Sequence, residues 1–247
     1  MKGKVAFVSG AGSGIGKTTA TRLAELGATV LLSDINDDNG KKVTQEIIDD
    51  GSAAHYYHLD VANRDDVHNL FKTIAKEHGK LDLAVNNAGI GGSLAPMHEV
   101  DIKHWNQMMD INLSGVFHCM QAELQLMLSN QTKGGIVNVS SLAGLNGIPN
   151  GSPYCAAKHA VIGLSKSAAR EYAKAGIRVN SVCPGFTETA ILNGLPQKFL
   201  DFNLNYLVPM KRLGKTEEIA NAIIWLLSDQ SSFVTGHSLH LDGGLMA

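Results

Sequence analysis

The sequence predicts an α/β fold, with a single domain over residues 1–247 built on a doubly wound parallel sheet of seven strands. Short apolar segments alternate along the chain with longer amphipathic ones, and this βαβα order is typical of a parallel sheet covered by helices. Most of the apolar segments lack polar alternation, as expected for strands that are buried on both faces. With 247 residues and a hydrophobic fraction of 44%, the chain can bury one large core.

The individual elements follow from the spacing of apolar residues. The segments predicted to be strands, most of them rich in Val, Ile or Leu, cover residues 5–9, 29–33, 53–59, 81–86, 136–140, 178–183 and 238–241. The segments with helical spacing cover residues 15–26, 39–50, 65–78, 102–128, 153–175 and 217–227. The sequence shows no repeat and no linker that would separate domains.

Composition favours a small-molecule partner. The 21 basic and 23 acidic residues are well mixed and give a net charge of −2, so we expect no binding to nucleic acid or to a membrane surface. No segment approaches the roughly 18 apolar residues of a membrane helix, and the first residues lack the apolar region of a signal peptide. We therefore expect a cytoplasmic protein.

The cysteines predict neither a disulfide framework nor a metal site. Cys119, Cys155 and Cys183 have unrelated spacings and form no C-x-x-C motif. This pattern is consistent with a reducing compartment. Cys155 lies beside Tyr154, but a free cysteine usually behaves as a small buried apolar residue, and we favour that role over a redox switch.

The first predicted βα turn, residues 9–18, has two interpretations. In a P-loop, backbone amides and Lys17 would hold nucleotide phosphates, but Ala11 replaces the first glycine of that motif. In a dinucleotide site, glycines would allow a tight turn and bring the backbone close to a pyrophosphate at a helix N-terminus. The glycines in question are Gly10, Gly14 and Gly16, although the literal G-x-G-x-x-G spacing is absent.

Asp34 favours the dinucleotide interpretation. It ends an apolar strand about 20 residues beyond the glycines, where a carboxylate would accept hydrogen bonds from an adenosine ribose. Its charge would repel a 2′-phosphate, so it predicts NAD rather than NADP. Ser13 adds no basic group, and we expect Lys17 to point along the first helix toward solvent. Taken alone, Asp34 would be better explained as an ordinary strand-end or turn residue, and the glycines reverse that preference.

Tyr154 and Lys158 are the candidate catalytic pair. At positions i and i+4 of a predicted helix, a phenol and an ammonium lie on the same face. We expect the cation to lower the pKa of Tyr154 from its ordinary value of about 10 and so make it a base. The alternative for the pair alone is an amphipathic helix with a packed tyrosine and a solvated lysine. Ser141 lies upstream, at the end of an apolar strand.

These motifs, together with Asn86-Asn87-Ala88-Gly89, Asn112 and Pro184-Gly185, resemble the short-chain dehydrogenase/reductase family in order and spacing. The resemblance covers residues 4–244. It implies a single Rossmann-type domain with seven parallel strands, and hydride exchange between a nicotinamide and an alcohol or carbonyl. It also implies a homotetramer that forms through the helices at residues 102–128 and 153–175.

The resemblance assigns the catalytic roles. Tyr154 would be the general acid and base, Lys158 would hold the nicotinamide ribose and favour phenolate, and Ser141 would hydrogen-bond the substrate oxygen. Asn112 would position a water that relays protons to Lys158, or could simply satisfy local backbone groups as many mid-helix asparagines do. The family spacing selects Ser141 over Ser140, which we expect to support the strand end.

The resemblance also supplies the cofactor contacts. Asp60 and Val61 would touch the adenine, Pro184 and Gly185 would shape the nicotinamide pocket, and Thr189 would bind the carboxamide or a phosphate, with Thr187 as the local alternative. The full predicted set is Gly10, Ser13, Gly14, Ile15, Gly16, Asp34, Asp60, Val61, Asn87, Ala88, Gly89, Tyr154, Lys158, Pro184, Gly185, Thr187 and Thr189. The segment Asn86 to Gly89 could also be a plain strand-ending turn.

Residues 186–208 give the one indication of substrate. This segment is strongly apolar, and as a lid it would exclude water and favour a hydrophobic secondary alcohol or a cyclic ketone. The alternative is a connecting helix whose apolar residues only pack. Residues 90–98 could form another wall. A sugar, a diol or a 3-hydroxyacyl substrate stays open, although no basic cluster at residues 91–101 favours an acidic carrier protein.

Two other classes of protein also stay open. A catalytically silent dinucleotide-binding regulator would keep the glycines without needing the reactive side chains, whereas this chain carries the full reactive set. An interaction protein built on the same fold would use the apolar helix faces.

Overall fold

The computed structural model describes residues 1–195 and 197–247, and it confirms the predicted α/β fold. The strands are β1 (Val5–Ser9), β2 (Thr29–Asp34), β3 (Ala54–His58), β4 (Leu83–Asn86), β5 (Gly135–Val139), β6 (Arg178–Pro184) and β7 (Ser238–Leu241). They form one seven-stranded sheet in the order β3-β2-β1-β4-β5-β6-β7, and every pairing is parallel. The predicted strand positions agree with these bounds to within about two residues.

The strand order reverses direction between β1 and β4. The chain first builds outward through β2 to β3, then returns to add β4 on the other side of β1, where Val8 pairs with Val85. The loops that leave the carboxyl ends of β1 and β4 therefore diverge and leave a crevice between them. In open α/β sheets this is the position at which ligands bind.

Helices cover both faces of the sheet. They are α1 (Gly14–Glu25), α2 (Asp37–Asp49), α3 (Arg64–His78), α4 (Ile102–Met109), α5 (Gly115–Ser129), α6 (Ser152–Tyr172), α7 (Gln197–Phe202) and α8 (Thr216–Leu227). Apolar residues of α1, α2 and α8 pack on one face against strand residues such as Val8 and Leu32. Those of α3, α5 and α6 pack on the other face against residues such as Phe7 and Leu31.

The inner strands are buried as the sequence predicts, but the two edge strands are not. β3 reads Ala-His-Tyr-Tyr-His, and only Ala54 in it is buried. Tyr56 is satisfied by local partners, because its hydroxyl lies 2.9 Å from the Asp34 carbonyl and 2.8 Å from Asp37 Oδ1. Partial burial and the Asp37 carboxylate together raise the pKa of Tyr56. Edge position therefore explains why β3 lacks the apolar composition of the central strands.

Capping residues set the helix ends. The Asn36 side chain accepts a hydrogen bond from the Asn39 amide, so α2 begins at Asp37 rather than at residue 39. Asn63 caps α3 in the same way through the Asp65 amide. At the other end of α3, Gly79 takes a left-handed conformation with φ of +72°, which glycine adopts without strain.

The long helix predicted over residues 102–128 contains a local irregularity. The structure divides it into α4 and α5, joined by a π-helical turn at Asp110–Ser114. The predicted helix over residues 153–175 is α6 followed by a short 3₁₀ turn at Ala173–Ala175. Across the described residues, no helix has both the length and the apolar character needed to cross a membrane.

Gly40 provides a test of the packing between α2 and β3. A Cβ built at Gly40 would overlap the Tyr56 ring, which its two hydrogen-bond partners hold in place. We expect Gly40→Ala to lower the free energy of unfolding by about 1 to 2 kcal/mol, because overpacking costs more than the helix propensity of alanine returns. Urea denaturation measures this change.

Lys42→Ala is the matched control, because it places alanine at an exposed position of the same helix. Its unfolding free energy should stay within about 0.5 kcal/mol of the wild-type value. A Gly40→Ala protein as stable as this control would contradict the packing described for Tyr56.

Candidate active site

The glycine-rich turn connects β1 to α1 and borders the crevice between the loops that follow β1 and β4. Gly10 and Gly14 have φ of +62° and +53°, a left-handed conformation that favours glycine. A Cβ at Gly16 would overlap the carbonyl oxygen of Gly10, so only glycine lets the start of α1 approach the turn. Within the described chain, the Ser13 side chain makes no capping hydrogen bond to α1. The first amides of α1, from Gly14 and Ile15 onward, therefore suit an anionic group.

Asp34 lies across from this turn and binds it directly. Its Oδ2 accepts a hydrogen bond of 2.8 Å from the Gly12 amide, and its Oδ1 accepts one of 2.8 Å from the Asn36 amide. Gly12 was missed in the sequence prediction. A Cβ there would come within 2.8 Å of Asp34 Oδ2, so the close approach requires glycine. The available signal was the pair of glycines at positions 10 and 12 that flank Ala11.

Lys17 does not take part in the crevice. Its Nζ forms an ion pair of 2.6 Å with Glu46 Oε2 on α2, and its side chain is 40% exposed. The ion pair lowers the pKa of Glu46. A P-loop lysine would instead face the phosphates, so this arrangement favours the dinucleotide interpretation.

Asn87 links the end of β4 to the glycine-rich turn. Its Nδ2 donates hydrogen bonds to the carbonyls of Ser9 and Gly10, at 3.1 and 2.9 Å. In return, Ser9 Oγ accepts from the amides of Asn87 and Ala88, at 3.1 and 3.2 Å. Sequence analysis did not single out Ser9, although a polar residue at the end of an apolar strand was a visible signal. These four hydrogen bonds fix the two sides of the crevice relative to each other.

The remaining predicted adenosine-side residues follow β3 and β4. Asp60 Oδ1 accepts a hydrogen bond of 3.0 Å from the Ala62 amide, and Val61 is buried against Gly115. Gly89 faces the catalytic residues, because a Cβ built on it would lie 3.0 Å from Asn112 Oδ1 and 3.6 Å from Lys158 Nζ.

The structure brings Ser141, Tyr154 and Lys158 to the same edge of the sheet. Ser141 directly follows β5, and its Oγ accepts a hydrogen bond of 3.1 Å from the Ala143 amide. Pro153 lies in the first turn of α6, a position where proline costs no helical hydrogen bond. Lys158 is buried, donates from Nζ to the Val139 carbonyl at 2.9 Å, and lies 5.8 Å from the Tyr154 ring centroid.

The expected effect of Lys158 on the tyrosine is wrong for this structure. Burial raises the pKa of Tyr154, and a hydrogen bond with Ser141 opposes that rise without reversing it. Burial also lowers the pKa of Lys158 to about 8. The ammonium donates to a strand carbonyl rather than to the phenol, so desolvation dominates both groups.

Ser140 supports the strand end, as predicted. Its hydroxyl donates a hydrogen bond of 2.8 Å to the Lys158 carbonyl, which ties β5 to α6. A Cβ at Gly144 would come within 2.6 Å of the same carbonyl, so the turn after Ser141 packs closely on α6.

Asn112 is fully occupied by backbone contacts. Its Oδ1 accepts from the Ile90 amide and its Nδ2 donates to the Ile90 carbonyl, both at 2.8 Å, and Nδ2 also contacts Met108 Sδ. The side chain sits in the π-helical turn with 0% exposure. The observed contacts thus support the local-backbone alternative, because both Nδ2 hydrogens have partners among the described residues.

The predicted nicotinamide-side residues follow β6. Pro184 ends the strand, and the Gly185 amide donates to the Leu241 carbonyl at 3.0 Å. The hydroxyls of Thr187 and Thr189 donate to the carbonyls of Gly185 and Thr187, at 3.2 and 3.3 Å. The Thr189 methyl would lie 3.4 Å from a Cβ at Gly14, so this segment closes over the glycine-rich turn.

A cleft of about 760 Å³ opens between the glycine-rich turn and the segment after β6. Its lining includes Gly14, Thr189, Leu192, Leu195 and Leu200. It therefore joins the predicted dinucleotide site to the predicted substrate segment.

The segment at residues 186–208, described apart from residue 196, packs some of its apolar residues and exposes others. It forms a 3₁₀ turn at Ala190–Gly194, then α7, then a π-helical turn at Asn203–Leu207. Phe186 packs edge-on against Phe199, with ring centroids 6.2 Å apart, whereas Tyr206 is 77% exposed. Gly91 faces this segment, since a Cβ there would lie 2.9 Å from Ile191 Cγ2. The loop after β4 therefore contacts this segment at Gly91.

Comparison with known proteins agrees with this geometry. A family model described as enoyl-(acyl carrier protein) reductase matches residues 10–246. A 2,5-dichloro-2,5-cyclohexadiene-1,4-diol dehydrogenase from Sphingobium indicum is 42% identical over 253 residues, covering 100% of this chain and 98% of the relative. A cyclohexanol dehydrogenase from an Acinetobacter species is 44% identical over 240 residues, covering 97% and 94%.

The fold agrees as well. The crystal structure of a short-chain type dehydrogenase/reductase from Mycobacterium marinum superposes with a TM-score of 0.92 at 34% identity, covering 100% of this chain and 96% of that one. The chain belongs to the short-chain dehydrogenase/reductase family and is an oxidoreductase.

Asn112 gives the site a testable structural role. We expect Asn112→Ala to lower the free energy of unfolding by about 1 to 2 kcal/mol, because it leaves two part-buried backbone groups of Ile90 unpaired. Amide hydrogen exchange at Ile90 should accelerate more than exchange in β4. Asn106→Ala, exposed on α4, is the control and should leave both measurements unchanged. Unaltered exchange at Ile90 would show that Asn112 does not hold this loop.

Proposed function

We propose that this protein transfers a hydride between NAD(H) and a hydrophobic, cyclic secondary alcohol or its ketone. The observation that carries the proposal is the common position of Ser141, Tyr154 and Lys158 beside the glycine-rich turn. A proton-transfer group and an anion-binding helix N-terminus then lie at the same edge of the sheet, as an alcohol dehydrogenase requires.

The glycine-rich turn fits a dinucleotide. Gly10, Gly14 and Gly16 make room that side chains would fill, and the N-terminus of α1 presents amides to a pyrophosphate. The Asp34 carboxylate on the opposite side suits the two hydroxyls of an adenosine ribose and disfavours a 2′-phosphate. With Lys17 paired to Glu46, no basic group of the turn offsets that charge among the described residues. These features support NAD over NADP.

The catalytic residues divide the chemistry among them. A bound nicotinamide supplies the hydride acceptor or donor. Tyr154 takes the hydroxyl proton during oxidation and returns it during reduction, while Ser141 hydrogen-bonds the substrate oxygen. Lys158 would hold the nicotinamide ribose through the N–H groups that its hydrogen bond to the Val139 carbonyl leaves free. The raised pKa of Tyr154 keeps it protonated at neutral pH, which is the form that donates to a ketone.

Two features support a hydrophobic cyclic substrate. Leu192, Leu195, Leu200 and Leu213 give the cleft apolar surface beside the polar Glu188, Asn193 and Gln197, and apolar surface favours ligands with few polar groups. Two relatives that align over nearly the whole chain are named for a cyclohexadienediol and for cyclohexanol. An acyl-carrier thioester is a second candidate, favoured by the description of the matching family model.

We further propose that the enzyme is a cytoplasmic homotetramer. Phe117 on α5 and Trp105 on α4 are 45% and 37% exposed, and aromatic groups of this kind are enriched at subunit contacts. The three cysteines are free and buried, which suits a reducing compartment.

Replacement of the phenol tests the proposed chemistry. We expect Tyr154→Phe to lower kcat with cyclohexanol and NAD at least about 100-fold while Kd for NADH changes little, because only the proton-transfer group is lost. NADH absorbance measures turnover, and NADH fluorescence measures binding. Tyr206→Phe, which removes an exposed hydroxyl, should retain wild-type turnover.

The outcomes separate the candidate functions. Turnover that survives in Tyr154→Phe would refute the catalytic assignment. Wild-type protein that binds NADH but oxidises no alcohol would point to a dinucleotide-binding regulator. Higher kcat/KM for a 3-oxoacyl thioester than for cyclohexanone would favour the second substrate class.

Replacement of Asp34 tests the cofactor preference. The wild-type enzyme should have a higher kcat/KM with NAD than with NADP, and Asp34→Ala should narrow that ratio at least about tenfold by removing the repulsion of the 2′-phosphate. Asp38→Ala, which removes an exposed carboxylate from the first turn of α2, is the control. A wild-type enzyme that prefers NADP would refute the assignment.

A further inference from the structure

Glu123 is a fully buried carboxyl group that the proposed chemistry does not use. It lies on α5 with 0% exposure, and its Oε2 accepts a hydrogen bond of 3.0 Å from Asn86 Nδ2. Its other oxygen, Oε1, has no hydrogen-bond partner among the described residues, and neither has Asn86 Oδ1. Two unpaired acceptors thus belong to two side chains that are already bonded to each other.

We propose that Glu123 is a neutral carboxylic acid that forms a two-hydrogen-bond pair with the Asn86 amide and positions the end of β4. An amide presents a donor and an acceptor side by side, and so does a protonated carboxyl group. The first bond, from Asn86 Nδ2 to Glu123 Oε2, is present. One proton on Oε1 supplies the second bond, to Asn86 Oδ1, and satisfies both unpaired atoms.

Neighbouring side chains fix the orientation of the Asn86 amide. Its Nδ2 also donates to Asn138 Oδ1 at 2.9 Å. The Asn138 amide cannot be reversed without loss, because its own Nδ2 donates to Ser165 Oγ at 2.8 Å and contacts Met120 Sδ. Reversing Asn86 would therefore bring its oxygen against two other oxygens. The unpaired Oδ1 is thus a feature of the packing.

An ionised Glu123 would be costly at this position. A carboxylate would leave both Glu123 Oε1 and Asn86 Oδ1 without a donor and would place a charge in the core. Burial accordingly raises the pKa of Glu123 to about 8, and the hydrogen bond from Asn86 opposes this rise only in part. The acid form is therefore the one that satisfies every atom of the pair.

Among the described residues, no cationic side chain forms an ion pair or a hydrogen bond with Glu123. α3 packs against α5 through its apolar face, which includes Phe71 and Ile74. β4 contributes the Asn86 amide, β5 contributes Asn138 and α6 contributes Ser165. The Cys119 thiol lies four residues before Glu123 on α5, and burial raises its pKa well above its ordinary value.

The pair lies directly beneath the candidate active site. Asn86 precedes Asn87, which holds the glycine-rich turn, and Asn138 and Ser165 connect the pair to α6, which carries Lys158. Glu123 is therefore a positioning residue, since it acts through Asn86.

The proton gives stability a defined pH dependence. Because the folded-state pKa of about 8 lies above the ordinary value of 4.5, the folded protein holds a proton that the unfolded chain releases between these values. The contribution of Glu123 to stability is thus complete below pH 4.5, and it declines as pH rises until it levels off above about 8.

Glu123→Gln is the decisive variant, because its amide offers the same donor and acceptor as the protonated acid at every pH. We expect the Tm of the wild type to fall relative to that of Glu123→Gln by several degrees between pH 5 and pH 9. Infrared difference spectra at pH 6 should show the carbonyl band of a protonated carboxylic acid in the wild type and not in the Gln variant.

Glu123→Leu should have a lower Tm than Glu123→Gln at all pH values, because it removes both hydrogen bonds to Asn86. The Tm difference between these two variants should not change with pH, because neither carries a titratable group at position 123. If this variant fails to fold, the wild type and the Gln variant still decide the question. A Tm difference between those two proteins that does not change with pH, or the absence of the acid band, would overturn the proposal. Neither measurement depends on enzyme activity, so the result is independent of the proposed function.

Discussion

The hydrogen bonds between the ends of β1 and β4 are the constraint on which the rest of the site depends. Where the strand order reverses, between β1 and β4, the two loops turn to opposite faces of the sheet. The backbone groups there therefore lack hydrogen-bond partners from a neighbouring strand. Ser9 and Asn87 supply those partners reciprocally, each through its side chain. This arrangement holds the glycine-rich turn, and with it the N-terminus of α1, at a fixed distance from the strands that lead to Ser141 and α6.

Asparagine recurs at this edge of the sheet for a physical reason. An amide side chain carries a donor and an acceptor and can replace a missing backbone partner, which neither a carboxylate nor a hydroxyl does with the same geometry. Asn87 does this for the first βα turn and Asn112 for Ile90. Asn86 and Asn138 bond to each other at the ends of neighbouring strands. Side-chain amides therefore make several of the hydrogen bonds that support the candidate site.

Much of the fold could be predicted from the sequence, because central strands are buried on both faces and show it in their composition. Likewise, because Tyr154 and Lys158 are four residues apart in a helix, the sequence predicts that they share one face of it. The sequence did not predict contacts between residues that are distant along the chain. The π-helical turn depends on Ile90, which is 22 residues from Asn112. The direction in which the pKa of Tyr154 shifts depends on how deeply packing buries the phenol. The spacing of apolar residues in the sequence does not reveal that depth. The glycine at position 12 is required only because Asp34 folds back against it.

The hydrogen bond from Lys158 to the Val139 carbonyl has a consequence for how the lysine can bind. An ammonium group has three N–H bonds that diverge tetrahedrally, and the strand accepts one of them. Because this hydrogen bond restricts rotation of the ammonium group, it also restricts the directions of the other two N–H bonds. A ligand that presents two neighbouring oxygens can accept both of these hydrogen bonds while the bond to the strand stays in place.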